Sequence, residues 1–138
     1  MPFLDVKLHA TWGTKRRVRS LTPDVCTKLF DHIKGRARER KIFIDRINGD
    51  EDHIHCLFNL PATITIADCI QLFKGESSRW INKEQLINDI FAWCVGYYAR
   101  SVSQSDLHTV RAYIDNHGTG KNFAEDPALT KFLKGLRN

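Results

Sequence analysis

The stretch from Ile42 to Leu60 most narrows what this chain can fold into. Ile42-Phe43-Ile44-Asp45-Arg46-Ile47 is rich in β-branched and apolar residues, Asn48-Gly49-Asp50 is a turn signal, and His53 to Leu60 is a returning strand closed by Pro61. This reads as a β-hairpin, and it is flanked by helical patterns. Upstream, Thr22 is an N-cap with Pro23 at the first helical position, and Val25, Cys26, Leu29 and Ile33 form the apolar stripe of a helix from about Pro23 to Arg38. Downstream, Thr63 or Thr65 precedes Ile66, Cys69, Ile70, Phe73, Trp80 and Ile81, which recur at helical spacing through Asn82, interrupted in composition only by Gly75. Val6 to Thr14 reads as a first strand and Phe91 to Val102 as a fourth.

The order β-α-β-β-α-β predicts an α+β, ferredoxin-like (split β-α-β) antiparallel sheet with helices on one face and the other face free. A third helix follows, capped by Ser103 or Ser105, with Leu107, Val110 and Ile114 inward and Gly118-Thr119-Gly120 at its end. Pro127 to Leu136 is a short amphipathic segment, so a helical tail begins at about residue 105. The 138 residues are the size of one domain, spanning 1–138. With 42% hydrophobic and 27% charged residues the composition is that of an ordinary globular chain. No apolar run nears the roughly 20 residues of a membrane span, and the first residues lack a secretory pattern, so a cytoplasmic location is expected. Cys26, Cys56, Cys69 and Cys94 are dispersed, as expected of reduced thiols used as small apolar residues.

Candidate chemistry lies in four residues. In a strand, His53 and His55 share one face, with Ile54 on the other. On a helix, Tyr113 and His117 at i and i+4 also share a face. If the two faces meet, three imidazoles can hold a divalent ion beside a tyrosine hydroxyl. A net charge of +5 favours a polyanionic partner, and Lys15, Arg16, Arg17 and Arg19 form the densest basic cluster, ahead of Arg36, Arg38, Arg40 and Lys41. Trp12, Trp80 and Trp93 are expected in the core rather than stacking on bases, and Tyr97 and Tyr98 as packing residues. Glu51 and Asp52 could orient the imidazoles, but turn solvation is their expected role.

These residues resemble the HUH single-tyrosine transposases of the smallest bacterial insertion sequences, the IS-two-hundred type. His53-Ile54-His55 with Cys56-Leu57-Phe58 is similar to that family's His-hydrophobic-His strand, and Phe73 to Asn82 to its second-helix segment. Trp93, Gly96-Tyr97 and Ser101-Val102-Ser103 resemble the approach to its catalytic helix, and Phe123 and Glu125 fit its tail. Most specifically, Tyr113-Ile114-Asp115-Asn116-His117 resembles its Tyr-Ile-x-x-Gln, in which the tyrosine is the nucleophile and the residue four later a metal ligand. Two departures stand out: His117 in place of glutamine, which favours manganese or another softer ion over magnesium, and Gly118-Thr119-Gly120 where relatives carry charged and histidine residues.

The resemblance implies a DNA transposase in which Tyr113 attacks single-stranded DNA to form a 5′-phosphotyrosine link. It further implies a divalent metal, Mg or Mn, held by His53, His55 and His117. The substrates it implies are hairpins at element ends, bound on the phosphate backbone near Lys15, Arg16, Arg17 and Arg19. It also implies a homodimer in which Tyr113 serves its own or its partner's site. Three other readings share these features: a domesticated relative processing host repeat hairpins, a ferredoxin-like nucleic-acid-binding module without catalysis, and a replication initiator or relaxase, against which the short chain argues.

Overall fold

The computed structural model describes residues 3–117 and 126–136. Local signals set both long helices. The Thr22 hydroxyl accepts from Val25 N and Pro23 opens α1, Pro23–Glu39. Thr65, the second of the two candidate caps, accepts from Asp68 N and starts α2, Ile66–Lys83. The strands are β1 (Lys7–Gly13), β2 (Ile44–Asp50), β3 (His53–Asn59) and β4 (Tyr98–Val102), followed by α3 (Leu107–Asp115) and α4 (Pro127–Gly135). They form one antiparallel sheet in the order β2-β3-β1-β4, which is the ferredoxin-like arrangement expected from the element order.

Strand alternation divides the two central strands between two layers. Leu8, Ala10 and Trp12 of β1 and Ile54, Cys56 and Phe58 of β3 join the core beneath α1 and α2, with Leu29, Ile33, Ile70, Phe73 and Ile81. Trp12 stacks on Phe73 and meets Trp93 edge-on, and the Trp93 indole N–H donates to the buried Ser77 hydroxyl at 2.9 Å. Trp80 is half-buried and stacks on His32. All four cysteines are free; Cys26, Cys56 and Cys69 are buried and Cys94 is half-buried. Among the described residues no helix is long and apolar enough to cross a membrane.

The expected free face is covered. Residues of β1 and β3 on that side are buried too, because Leu57 packs against Leu107 and Ile114 of α3, and Leu129, Leu133 and Leu136 of the α4 region form a further cluster with Tyr98 and Tyr113. The apolar residues of the tail therefore cover the sheet. They turn the sheet's second face into an interior that holds His9, Thr11, His53 and His55.

The hairpin turn also differs from expectation. Asn48, Gly49 and Asp50 belong to β2 and pair with His55, Ile54 and His53, so the turn is Glu51-Asp52. Gly49 is there for space: a Cβ would lie 2.4 Å from the His53 carbonyl oxygen. The Asn48 amide donates to the Ile114 carbonyl at 2.8 Å and to that of His117 at 3.3 Å, tying the end of α3 to the sheet. The last strand is shorter than the expected Phe91 to Val102. Phe91 N–H and C=O are bound by the Asn82 side chain, Lys74 donates to the carbonyls of Cys94 and Gly96, and Gly96 has φ +96°, so only Tyr98–Val102 pairs with β1. Trp93 keeps one isolated bridge, to Thr14. α3 starts after Asp106, whose N–H is held by Ser103 Oγ, so neither serine is the cap residue itself. Gly118-Thr119-Gly120, Phe123 and Glu125 lie outside the described residues.

Candidate metal centre and nucleophile

His53 and His55 project from β3 toward α3, and Tyr113 and His117 come to them from above. His117 lies two residues past the end of α3, with its N–H bonded to the Ile114 carbonyl at 3.1 Å. The structure brings all three imidazoles together: His53 Nε2 and His117 Nε2 are 2.8 Å apart, the His55 and His117 ring centroids are 4.3 Å apart, and one nitrogen from each ring lies within 4.8 Å of the others. Ligands about 2.1 Å from one ion are about 3–3.4 Å apart, so small ring rotations suffice to close the set on a cation. At 2.8 Å, His53 and His117 share a hydrogen bond, one nitrogen donating and the other accepting. A cation would take the place of that proton.

Each β3 histidine is held through its Nδ1, leaving Nε2 for the centre. His53 Nδ1 donates to Asp52 Oδ1 at 2.7 Å, and the other Asp52 oxygen accepts from Arg17 Nε at 3.0 Å. Burial alone would raise the Asp52 carboxyl, but hydrogen bonds from Arg17 and His53 keep it below the usual carboxylate value. A carboxylate behind a ligating histidine fixes the ring and raises its basicity. His55 Nδ1 lies 2.8 Å from Thr11 Oγ1 and 3.0 Å from His9 Nε2, while its buried Nε2 has no hydrogen-bond partner among the described residues. Burial first, then the neighbouring His117, His53 and His9, push His55 well below the ordinary imidazole value. It is therefore neutral at physiological pH, as a metal ligand must be. The donor set fits a divalent cation.

Tyr113 packs on this cluster, its ring centroid 5.2 Å from His55, 5.6 Å from His117 and 6.0 Å from His9. Beside it a cavity of about 270 Å³ is lined by His9, Tyr98, Arg100, Val110 and Asp126 among others. Tyr98 donates to Asp126 Oδ2 at 2.6 Å; burial, then this bond, raises its phenol to about 12. Tyr97 is 38% exposed.

The basic cluster divides. Lys15 and Arg16 lie on an exposed 3-10 turn, and exposed Arg19 makes a long pair with Glu51 at 3.6 Å. Arg17 instead turns inward, to Asp52 and to the Leu133 carbonyl of α4. Asp52 thus orients an imidazole rather than solvating the turn. His9 and Thr11 were missed by the sequence reading. The signal was present, since His9-x-Thr11 on an amphipathic strand presents two polar side chains to one face, as His53-x-His55 does.

Comparison with known proteins bears on the fold and the family. The chain is 23% identical over 116 residues to the ISDra2 transposase TnpA of Deinococcus radiodurans, covering 80% of this chain and 83% of that protein. A crystal structure of a transposase from Deinococcus radiodurans R1 has the same fold (TM-score 0.68, 21% identity, 84% of this chain and 94% of that one). So does a REP-associated tyrosine transposase bound to a REP hairpin (TM-score 0.63, 15% identity, 84% and 72%). The sequence profile of the family described as "Transposase IS200 like" matches residues 3–117, so this chain belongs to the IS200-like transposase family.

Proposed function

We propose that this transposase cleaves and rejoins single-stranded DNA through a 5′-phosphotyrosine intermediate on Tyr113, with Mg or Mn held by His53, His55 and His117. The observation that carries the reading is the buried Nε2 of His55, which has no hydrogen-bond partner among the described residues, on a ring whose centroid lies 5.1 Å from that of His53, 4.3 Å from that of His117 and 5.2 Å from that of Tyr113. A free tyrosine, with a pKa of about 10, is a poor nucleophile at neutral pH. A divalent ion at this centre supplies charge stabilisation for the phosphate under attack. Tyr113 Oη forms the bond to phosphorus, the bond from phosphorus to the 3′ oxygen breaks, and that oxygen leaves as a hydroxyl, so the phenolic proton is balanced by the new O–H. One phosphodiester replaces another. Attack by a different 3′-hydroxyl then rejoins strands with no nucleotide cofactor.

The substrate we propose is a hairpin near an element end, a reading supported by the hairpin bound to the related REP-associated transposase. Lys15, Arg16 and Arg19 are proposed to contact its backbone, positioning the strand without reading sequence. Arg17 is proposed to act on the metal site through Asp52 instead. We further propose that the protein works as a homodimer; the packing of Tyr113 on His55 of its own chain supports service of its own centre. Incubation with manganese or magnesium and a labelled hairpin from its own genomic flanks, resolved on a denaturing gel, tests the reading. A protease-sensitive shifted band is expected from wild type and none from Tyr113→Phe. Cleavage by Tyr113→Phe at the wild-type rate would refute it.

A further inference from the structure

We propose that Thr11 and His9 are positioning residues of the centre: they hold His55 in the tautomer with its proton on Nδ1, which leaves Nε2 as the donor to the metal. The inference rests on the metal-binding reading of His53, His55 and His117. Thr11 pairs directly with His55 across β1 and β3, and His9 lies two residues along the same face. Thr11 and His55 are sealed from water, at 0% exposure, and His9 is buried at 7%, lining the cavity beside Tyr113. A neutral imidazole carries one proton. Placed on Nε2, that proton would be a buried donor with no acceptor among the described residues. Placed on Nδ1, it has Thr11 Oγ1 at 2.8 Å and His9 Nε2 at 3.0 Å as acceptors.

The geometry extends toward the nucleophile. His9 meets Tyr113 edge-on at 6.0 Å and Tyr98 at 5.8 Å, so it is wedged between a metal ligand and the attacking ring. His53 is oriented by an acid and His55 by a hydroxyl and a second imidazole. The Thr11 and His9 arrangement adds no negative charge next to His55, so it would leave the charge of a bound cation undiminished.

Two measurements test this. In metal-free wild-type protein labelled with 15N-histidine, long-range proton–nitrogen spectra are expected to show His55, identified by loss of its signals in His55→Gln, as the Nδ1–H tautomer. An Nε2–H pattern would overturn the proposal. In a Co2+ titration followed by d–d absorption, the double variant Thr11→Val/His9→Phe is expected to bind about 10–100-fold more weakly, while Thr11→Ser/His9→Gln, which keeps an acceptor at each position, stays within about threefold of wild type. Wild-type affinity in the folded apolar variant, or an equal loss in the polar one, would also overturn it. If the apolar variant does not fold, the polar variant and the tautomer spectrum decide. If wild type takes up no Co2+, the metal reading falls, and the tautomer spectrum still decides the role of Thr11 and His9.

Discussion

Replacing Gly49 by alanine tests whether Asn48-Gly49-Asp50 is strand or turn. In the structure Gly49 pairs with Ile54, and an added Cβ would lie 2.4 Å from the His53 carbonyl oxygen and 3.1 Å from Ile54 Cα. Ordinary contact begins at 3.4 Å, so β2 and β3 must separate locally by about 1 Å, and both obstacles are backbone. Overpacking of this kind costs about 1–3 kcal/mol, against which the lower chain entropy of alanine returns about 0.5–1 kcal/mol. The net loss is on the order of 1–2 kcal/mol, or a fall in Tm of about 3–8 °C for a chain of this size. Because the strained atom belongs to His53, Mn2+ affinity should fall as well, by about tenfold. Gly35 in α1 is the control: nothing lies within 4 Å of its Cβ position, so Gly35→Ala should raise stability, by about 0.5–1 kcal/mol. Thermal unfolding followed by circular dichroism reads both. A Gly49→Ala protein melting at or above wild type would refute the pairing, and with it the placement of Asn48 beneath the end of α3.

Asp52→Asn should weaken Mn2+ binding by about 10–100-fold while leaving metal-free hairpin binding unchanged, as read by calorimetry and gel shift. Lys15→Ala should weaken binding to hairpins of any sequence and reduce the slope of log affinity against log salt by about 0.7–0.9, whereas Arg17→Ala should act mainly on metal affinity. The Asp126 carboxyl is lowered to about 2 by the Tyr98 hydroxyl, the Arg100 guanidinium and the Ala128 N–H. Its folded value lies below the unfolded one, so its stabilisation is present above about pH 4 and is lost as pH falls through about 2. Asp126→Asn should therefore be less stable than wild type at neutral pH, with the two denaturant midpoints converging as pH drops through that window.

Where physical signals are local, they were legible. Thr22-Pro23 and Thr65 fix helix starts through bonds within one turn, and strand alternation put His53 and His55 on one face whatever lay opposite. What depends on distant partners was not. Asn48-Gly49-Asp50 has turn composition, yet the glycine serves close approach of β2 to β3, and the asparagine binds α3, a contact that exists only once the tail docks. Phe91 to Val102 reads as a strand because its aromatics suit one, but Asn82 and Lys74 capture its first half. The amphipathic tail announced an apolar stripe without saying where it would lie, and it covers the face expected to be free. At the site, the metal candidates could be read from residue type and spacing. Their supports, Asp52 with Arg17 and Thr11 with His9, are common residues given meaning by sheet register.

The most direct test of the central claim is intact-mass and peptide mass spectrometry of wild-type protein after reaction with a single-stranded hairpin and Mn2+. The expected result is a mass increase equal to the retained fragment, the one bearing the 5′ phosphate, less one water, while the 3′-hydroxyl fragment is released; the increase maps to the peptide containing Tyr113 and is abolished by chelator or by His55→Ala. An adduct on Tyr97 or Tyr98, or full cleavage with no adduct, would contradict it.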